Sequence, residues 1–369
     1  MITLRYHEKP TLNSQENAMR KLNVVVLTIF VVASLLLSAC TVPAAAPAAE
    51  PAAATEPAAE AAAPEVAADG EAQVALITKH RGNPFFVKME EGATQEAEAK
   101  GVKLITAAGE FDGDNEGQIT AIENVVNAGV KGILITANDS TAIVPTIQKA
   151  RDAGVLVIAL DTPLDPADAS DALFATDNVK AGVLIGQYAK AALGDTPAKI
   201  AMLDGTAGTT VSQQRHDGFL QGFGIEEGDP AIVCQGDTNG MIDRAQPVME
   251  NCLTANPDIN VVYTVNEPAA FGANTALVAA GVADNVIVVS VDGGCEGVRG
   301  VKDGKISATS QQYPLLMASM GVDAIVDYIN TGNKVSGYTD TGVTLIADKA
   351  VEGVESQDTV YGLDACWGE

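Results

Sequence analysis

Asp161, Asn266 and Asp292 each stand directly after an apolar run: Val155 to Leu160, Val261 to Val265 and Val286 to Val291. Near-continuous Val/Ile/Leu runs are strands covered on both faces. Each polar group therefore sits at a strand's C-terminal end, the edge at which open α/β sheets bind ligands. For any one of them, capping of the next helix or loop solvation is an equal reading. Three together point to a hydroxyl-rich ligand. Asn83-Pro84-Phe85-Phe86 follows the first run, Val74 to Thr78. Its rings suit the apolar face of a sugar and Asn83 suits the hydroxyls, while the plainer reading is a helix start with two core aromatics. Arg215 offers a planar fork that bridges two hydroxyls or a carboxylate, or else makes a surface ion pair.

Catalytic chemistry is thinly supplied. Beyond residue 39 the histidines are His80 and His216 alone, too few for a histidine-rich metal site and a poor basis for a triad. No P-loop or G-x-S-x-G elbow occurs, and Gly228 falls one position too late after Gly222-Phe223-Gly224 for a dinucleotide fingerprint. The expectation is a binding protein with no cofactor, not an enzyme. Asp112-Gly113-Asp114-Asn115-Glu116-Gly117 with Glu123 nearly matches a calcium loop, but its fifth position is Glu. Ile119, Ile122, Val125 and Val126 already have helical spacing, which turns the second half of such a loop into helix. The expectation is a strand-to-helix turn capped by Asp112 or Asp114, with no metal site.

Elements that position these residues follow one pattern. The strand runs are Val74 to Thr78, Lys103 to Ala107, Gly132 to Thr136 and Val155 to Leu160, then Lys199 to Leu203, Ala231 to Cys234, Val261 to Val265 and Val286 to Val291. Helix-period segments lie between them, such as Phe86 to Lys100, Gln118 to Ala128, Ile143 to Ala153 and Lys180 to Leu193. Gly101, Gly129, Gly154 and Gly281 each separate a helix from the next strand, as a left-handed C-terminal cap requires. Two groups of four strands predict an α/β chain of two doubly wound, Rossmann-like lobes with a cleft between them.

The chain's 369 residues suffice for about two domains. A formal charge of −26 repels phosphate backbones, so no nucleic-acid partner is expected. Met19-Arg20-Lys21, the apolar stretch Leu22 to Leu37 and Leu37-Ser38-Ala39-Cys40 describe a secretory signal, with Met19 the better start within residues 1–39. Leu-Ser-Ala-Cys resembles the bacterial lipoprotein box, which makes Cys40 the lipidated N-terminus. The Ala/Pro/Glu tract across 40–72 lacks aromatics and cationic side chains and reads as an extended tether. Cys234, Cys252, Cys295 and Cys366 remain, an even number in a chain bound for an oxidising space. Four cysteines allow three pairings, and free buried thiols are the alternative. Cys234 closes a strand and Cys252 lies in the next helix pattern, which favours Cys234 with Cys252 and Cys295 with Cys366.

At the cleft residues the sequence resembles the periplasmic sugar-binding proteins of the ribose-binding type, across 73–369. The resemblance is carried by Asn83-Pro84-Phe85-Phe86, Ala159-Leu160-Asp161, Ala175-Thr176-Asp177-Asn178, Gln214-Arg215-His216-Asp217-Gly218-Phe219, Val265-Asn266-Glu267, Ser290-Val291-Asp292-Gly293 and Gln311-Gln312-Tyr313-Pro314. Within that family it looks most similar to fructose-binding components of ABC importers, on Ile77-Thr78-Lys79, Asp161-Thr162-Pro163-Leu164, Asn266-Glu267-Pro268-Ala269-Ala270, Asp292-Gly293-Gly294-Cys295 and Cys366-Trp367-Gly368. The resemblance implies a type I periplasmic binding protein fold with a three-crossing hinge near Thr176, Gln312 and Gly342. One lobe is then 73–176 plus 313–342 and the other 177–312 plus 343–369. It assigns Asn83, Phe85, Phe86 and Asp161 to the first lobe's wall, Arg215, Asn266 and Asp292 to the second, and Gln312 to the hinge. Ribose binders of the family have Asp-Arg where this chain has Asp161-Thr162, and an aromatic in the region that here reads Thr238-Asn239-Gly240. Lys79 and Asn239 become the candidate replacements. The implied protein is an exported, lipid-anchored monomer at the outer face of the cytoplasmic membrane or in the periplasm. It binds a neutral monosaccharide, fructose favoured, and serves a membrane permease. The alternative is a receptor for a polyol or furanosyl signal feeding a sensor kinase.

Overall fold

A computed structural model describes residues 72–368. The expected secretory signal, Cys40 and the expected tether as far as residue 71 lie outside the described residues. No helix among the described residues is long and apolar enough to cross a membrane.

The chain builds two parallel-stranded sheets. The first holds β1 (Gln73–Thr78), β2 (Lys103–Ala108), β3 (Gly132–Ile135), β4 (Leu156–Leu160), β5 (Ala172–Ala175) and β11 (Gly337–Asp340), in the order β11-β5-β4-β3-β1-β2. The second holds β6 (Ile200–Asp204), β7 (Ile232–Asp237), β8 (Val261–Thr264), β9 (Ile287–Asp292), β10 (Ala308–Gln311) and β12 (Thr344–Ile346), in the order β12-β10-β9-β8-β6-β7. Every neighbouring pair is parallel except β10 with β12. Both sheets thus have a doubly wound order whose direction reverses beside the first strand, the place where such sheets bind ligands.

Helices α1 (Pro84–Lys100), α2 (Asn115–Asn127) and α3 (Val144–Asp152) connect the first sheet. The second is connected by α5 (Thr210–Phe223), α6 (Ile242–Ala255), α7 (Glu267–Ala279) and α8 (Cys295–Lys302), preceded by α4 (Asn178–Leu193). The remaining helices are α9 (Pro314–Thr331) and α10 (Thr359–Ala365). Strand alternation divides the core: Val74 and Leu76 of β1 join the cluster under α1 and α9, while Ala75 and Ile77 join the one under α2 and α3. In the second lobe Ala201 and Leu203 of β6 face α6 and α7, and Ile200 and Met202 face α4 and α5. Gly101, Gly129, Gly154 and Gly281 take φ of 67°, 83°, 83° and 70°, the left-handed form that ends each helix.

Sequence periodicity finds eight of the twelve strands, so the two groups of four are two sheets of six. The missed strands are short or polar: β5 is Ala-Leu-Phe-Ala, β10 is Ala-Thr-Ser-Gln, β11 is an exposed edge strand, and β12 has three residues. The chain passes between lobes after β5, β10 and β11. Thr176, Gln312 and Gly342 stand at these passages, and the Thr176 hydroxyl donates to the Gly342 carbonyl at 3.2 Å. In the final segment, 343–368, the Trp367 side chain packs in the first lobe's core with Phe85, Met89 and Met317.

Candidate functional site

Arg215 is the centre of the cavity between the lobes. Close contact of α4 with α5 sets its height: a β-carbon on Gly218 would stand 2.2 Å from the Val179 carbonyl oxygen, so only glycine permits the two helices to approach this closely. One turn earlier on α5, the Arg215 Nε donates to Asn178 Oδ1 at 2.8 Å and Nη1 donates to the Val265 carbonyl at 2.9 Å. Asn178 in turn donates to the carbonyls of Asp161 and Thr176, at 3.2 and 3.1 Å. The guanidinium is thereby aimed before any ligand arrives.

Asp161 and Asp292 flank it. Arg215 Nη2 lies 3.5 Å from Asp161 Oδ1 in one lobe and Nη1 lies 3.9 Å from Asp292 Oδ1 in the other, all three side chains being about 5–6% exposed. Both aspartates have positive φ, 59° and 149°, which non-glycine residues rarely adopt and which collects at functional sites. Thr162 donates to Asp161 Oδ2 at 2.9 Å. Asp292 Oδ1 accepts from Gln312 Nε2 at 2.9 Å and Oδ2 accepts from the Glu267 N–H at 3.3 Å. Burial drives the Asp292 carboxyl up, Arg215 and these donors pull it back, and it settles at about 6. Glu267, which accepts from the Gly293 and Gly294 N–H groups at 2.8 and 3.1 Å and from the Thr309 hydroxyl at 2.8 Å, is pushed well above the carboxylate range by burial and by Asp292 beside it.

The other expected residues meet at the same cavity: Lys79, Asn83, Phe85, Phe86, Asn239, Asn266 and Gln312 all line it. The two rings stand edge to face at 5.4 Å and belong at once to the cavity wall and to the core. Asn83 caps α1 by accepting from the Phe85 N–H at 2.9 Å, which leaves its amide N–H₂ as the group it can offer a ligand. Asn266 is more fully engaged. Its Oδ1 accepts from the Ala269 N–H at 3.1 Å and its Nδ2 donates to the Gly240 carbonyl at 3.1 Å, so in this closed form it shapes the wall. Gln312 differs: its Oε1 is buried with no partner among the described residues, an acceptor that a ligand hydroxyl would satisfy.

Of Asp112 and Asp114, the two residues expected to cap the helix, Asp114 alone does so. Asp114 caps α2 by accepting from the Gly117 N–H at 2.9 Å, so the stretch that resembled a calcium loop is helix from Asn115 onward, and Glu123 lies on its exposed face 3.8 Å from Lys149. Asp112 turns into the cavity and accepts from the Thr206 hydroxyl of the opposite lobe. Asn239 Nδ2 approaches the Asp112 carbonyl at 3.5 Å, and the Ser140 N–H donates to the Gly208 carbonyl at 3.0 Å. These bonds cross between lobes and describe a closed form. Sequence reasoning gave no site role to Asn178, Glu267 and Thr206, which act through neighbours from other parts of the chain; Asn178 and Glu267 stand there only within stretches that carry the resemblance.

Two disulfides brace the second lobe. Cys234 on β7 is bonded to Cys252 on α6 and Cys295 at the start of α8 to Cys366, with Cα atoms 5.6 and 4.9 Å apart. Behind the cavity, His216 Nδ1 lies 2.7 Å from Asp204 and Nε2 lies 2.8 Å from Glu227. Burial opposes its charge, but these two carboxylates outweigh that and raise it to about 9.

Residues 74–334 match the family described as the periplasmic binding protein domain. The ribose import binding protein of Salmonella typhimurium is 34% identical over 278 residues, covering 74% of this chain and 90% of that protein. The galactofuranose-binding protein of Escherichia coli is 30% identical over 277 residues, covering 72% and 85%. A periplasmic solute-binding protein of an ABC transporter from Actinobacillus succinogenes, solved with bound D-allose, superposes with a TM-score of 0.68 at 32% identity, covering 75% of this chain and 98% of that one. With two doubly wound lobes, three passages between them and a polar cavity enclosed where they meet, the chain belongs to the periplasmic binding protein family, as a type I sugar-binding protein of the ribose-binding type and not an enzyme.

Proposed function

We propose that this chain is the exported, lipid-anchored, monomeric substrate-binding component of a sugar ABC importer, that it closes its lobes on a neutral monosaccharide, fructose favoured, and that it delivers the closed form to a membrane permease. The observation that carries this reading is the buried Arg215 fork between Asp161 and Asp292, carboxylates of opposite lobes. A ligand that bonds both carboxylates and the fork gains those contacts only when the lobes meet, and it shifts the population toward closure by that differential affinity. The charged groups in the cavity wall are Lys79 and Arg215 against Asp112, Asp161 and Asp292. An excess of carboxylate disfavours sugar acids and sugar phosphates. The unpartnered Gln312 Oε1 and the rings of Phe85 and Phe86 suit a hydroxylated ring with one apolar face. The fructose preference rests on the resemblance of stretches such as Asp161-Thr162-Pro163-Leu164 and Asn266-Glu267-Pro268-Ala269-Ala270 to fructose-binding components, while the departures at Thr162 and Asn239 weigh against ribose.

A thermal-shift screen across ketoses, aldoses, polyols and amino acids tests this, because a ligand that binds only the folded state raises Tm. The expected result is the largest rise with D-fructose, followed by other neutral hexoses. A protein that ignores every neutral sugar and responds to an amino acid overturns the reading. Cell fractionation of the full chain beside Cys40→Ser tests the anchor: wild type in the membrane fraction and the variant released from it.

A further inference from the structure

The C-terminal segment after α10 joins both lobes at once. Its backbone belongs to the second lobe, through the Cys295–Cys366 bond and the Cys295 N–H donating to the Trp367 carbonyl at 2.8 Å. Its side chain belongs to the first. The Trp367 ring is 6% exposed, meets the Phe85 ring edge to face at 5.4 Å, and lies in the cluster with Met89 and Met317. Its Nε1 donates to the carbonyl of Gln312, at the second hinge passage, at 2.8 Å. Trp367 does not line the cavity, yet the two groups it touches do.

We propose that Trp367 is a positioning residue for the ligand: a strap fastened to the second lobe by Cys295–Cys366 that sets the Phe85 ring and the hinge residue Gln312 in the cavity wall. Phe85 is a flat ring whose tilt decides which sugar face it accepts, and Trp367 fixes that tilt from behind. Gln312 donates from Nε2 to Asp292 and presents its unpartnered Oε1, and the indole, by holding the Gln312 backbone carbonyl, fixes the main chain from which that side chain reaches the cavity. The strap also resists opening at its own edge, since parting the lobes there pulls the indole out of an apolar cluster or strains the segment behind the disulfide. The proposal rests on the reading of the cavity as a sugar site.

Two measurements on the full chain keep the two readings apart. The first is calorimetric affinity for D-fructose, D-ribose and D-allose in wild type, Trp367→Ala, Trp367→Phe and Cys366→Ser. The second is hydrogen exchange of the sugar-free proteins. Trp367→Ala is expected to weaken sugar binding at least ten-fold and to speed exchange across 83–87 and at 312–313, with β8 and β9 unchanged. Trp367→Phe, which keeps a ring but loses the N–H, should restore 83–87 and leave 312–313 fast. Cys366→Ser should move both segments in the same direction by less. Exchange raised throughout the first sheet, without that split, means mere stability and overturns the proposal. So does a Trp367→Ala protein with wild-type local exchange. If wild type binds none of the three sugars, the sugar-site reading fails while the exchange pattern still decides the strap.

Discussion

The two lobes repeat one strand order and both bring polar groups to the cavity between them, but its aromatic rings come from the first lobe alone. In the first lobe the polar groups Lys79, Asn83, Asp112 and Asp161 share the wall with two side chains that are also core: Phe85 and Phe86 line the cavity and pack with Val74, Leu76 and Met89. In the second lobe the wall is made by Arg215, Asn266 and Asp292, none of which belongs to an apolar cluster and each of which is held by hydrogen bonds. Stability and recognition are therefore fused on one side of the cavity and separable on the other.

The largest expected effect breaks the fused side. Phe85→Ala removes a ring that is 3% exposed from beneath Trp367 and Met89, and phenylalanine-to-alanine changes at such sites cost about 3–5 kcal/mol. Denaturant unfolding should show that loss, and sugar affinity should fall with it. A Phe85→Ala protein with wild-type stability means that the ring belongs to the cavity alone.

Arg215→Ala tests the separable side. Charge-assisted bonds of about 1.5–3 kcal/mol predict sugar binding weakened by roughly ten-fold to more than a hundred-fold, measured by calorimetry. Its Tm should fall far less than that of Phe85→Ala, because Asp161 and Asp292 regain water once the lobes part. Asn178→Ala sharpens the point with a smaller effect. It leaves the guanidinium in place but frees its Nε, so affinity should drop about ten-fold with little change in Tm. Equal losses of stability in all three variants would erase the contrast between the lobes.

How much of this was legible in the sequence follows the same division. The residues at strand ends could be read because an apolar run stops there, and the rings because aromatics are scarce in this chain. Strand β10 could not be read. Ala-Thr-Ser-Gln carries no apolar signal, yet it is fully buried because Thr309 donates to Glu267, Ser310 to the Ala181 carbonyl and Gln311 to the carbonyls of Gly293 and Gly362. Periodicity measures transfer from water to an apolar surface and is blind to a strand buried by hydrogen bonding. The roles of Asn178 and Trp367 escaped for a related reason: Asn178 acts on Arg215 and Trp367 on Phe85 and Gln312, all distant in sequence, and only the folded path of the chain brings them together.

The smallest effect comes from two histidines, one in each lobe, which titrate in opposite directions. In the first lobe His80 follows β1, and burial lowers its pKa below 6.5 despite the nearby Asp112 carboxylate. In the second lobe His216 sits between Asp204 and Glu227 and is raised to about 9. A raised histidine contributes stability that is complete below its unfolded value of 6.5 and is lost as pH climbs through about 9. A lowered one favours the neutral ring, so its contribution is present above 6.5 and is lost as pH falls through its folded value. The raised carboxyls of Asp292 and Glu267 also lose stability as pH climbs, so the histidine contributions are read as differences from wild type in thermal melts from pH 5 to 10. His216→Gln should lessen the fall between pH 6.5 and about 9 without changing the profile below 6.5, while His80→Gln should change the profile below 6.5 alone. The alkaline change should be modest and should shrink in high salt, because the Glu227 side chain is 64% exposed and its charge is screened. An alkaline limb that survives His216→Gln unchanged would place the titrating group elsewhere and remove this contrast between the lobes.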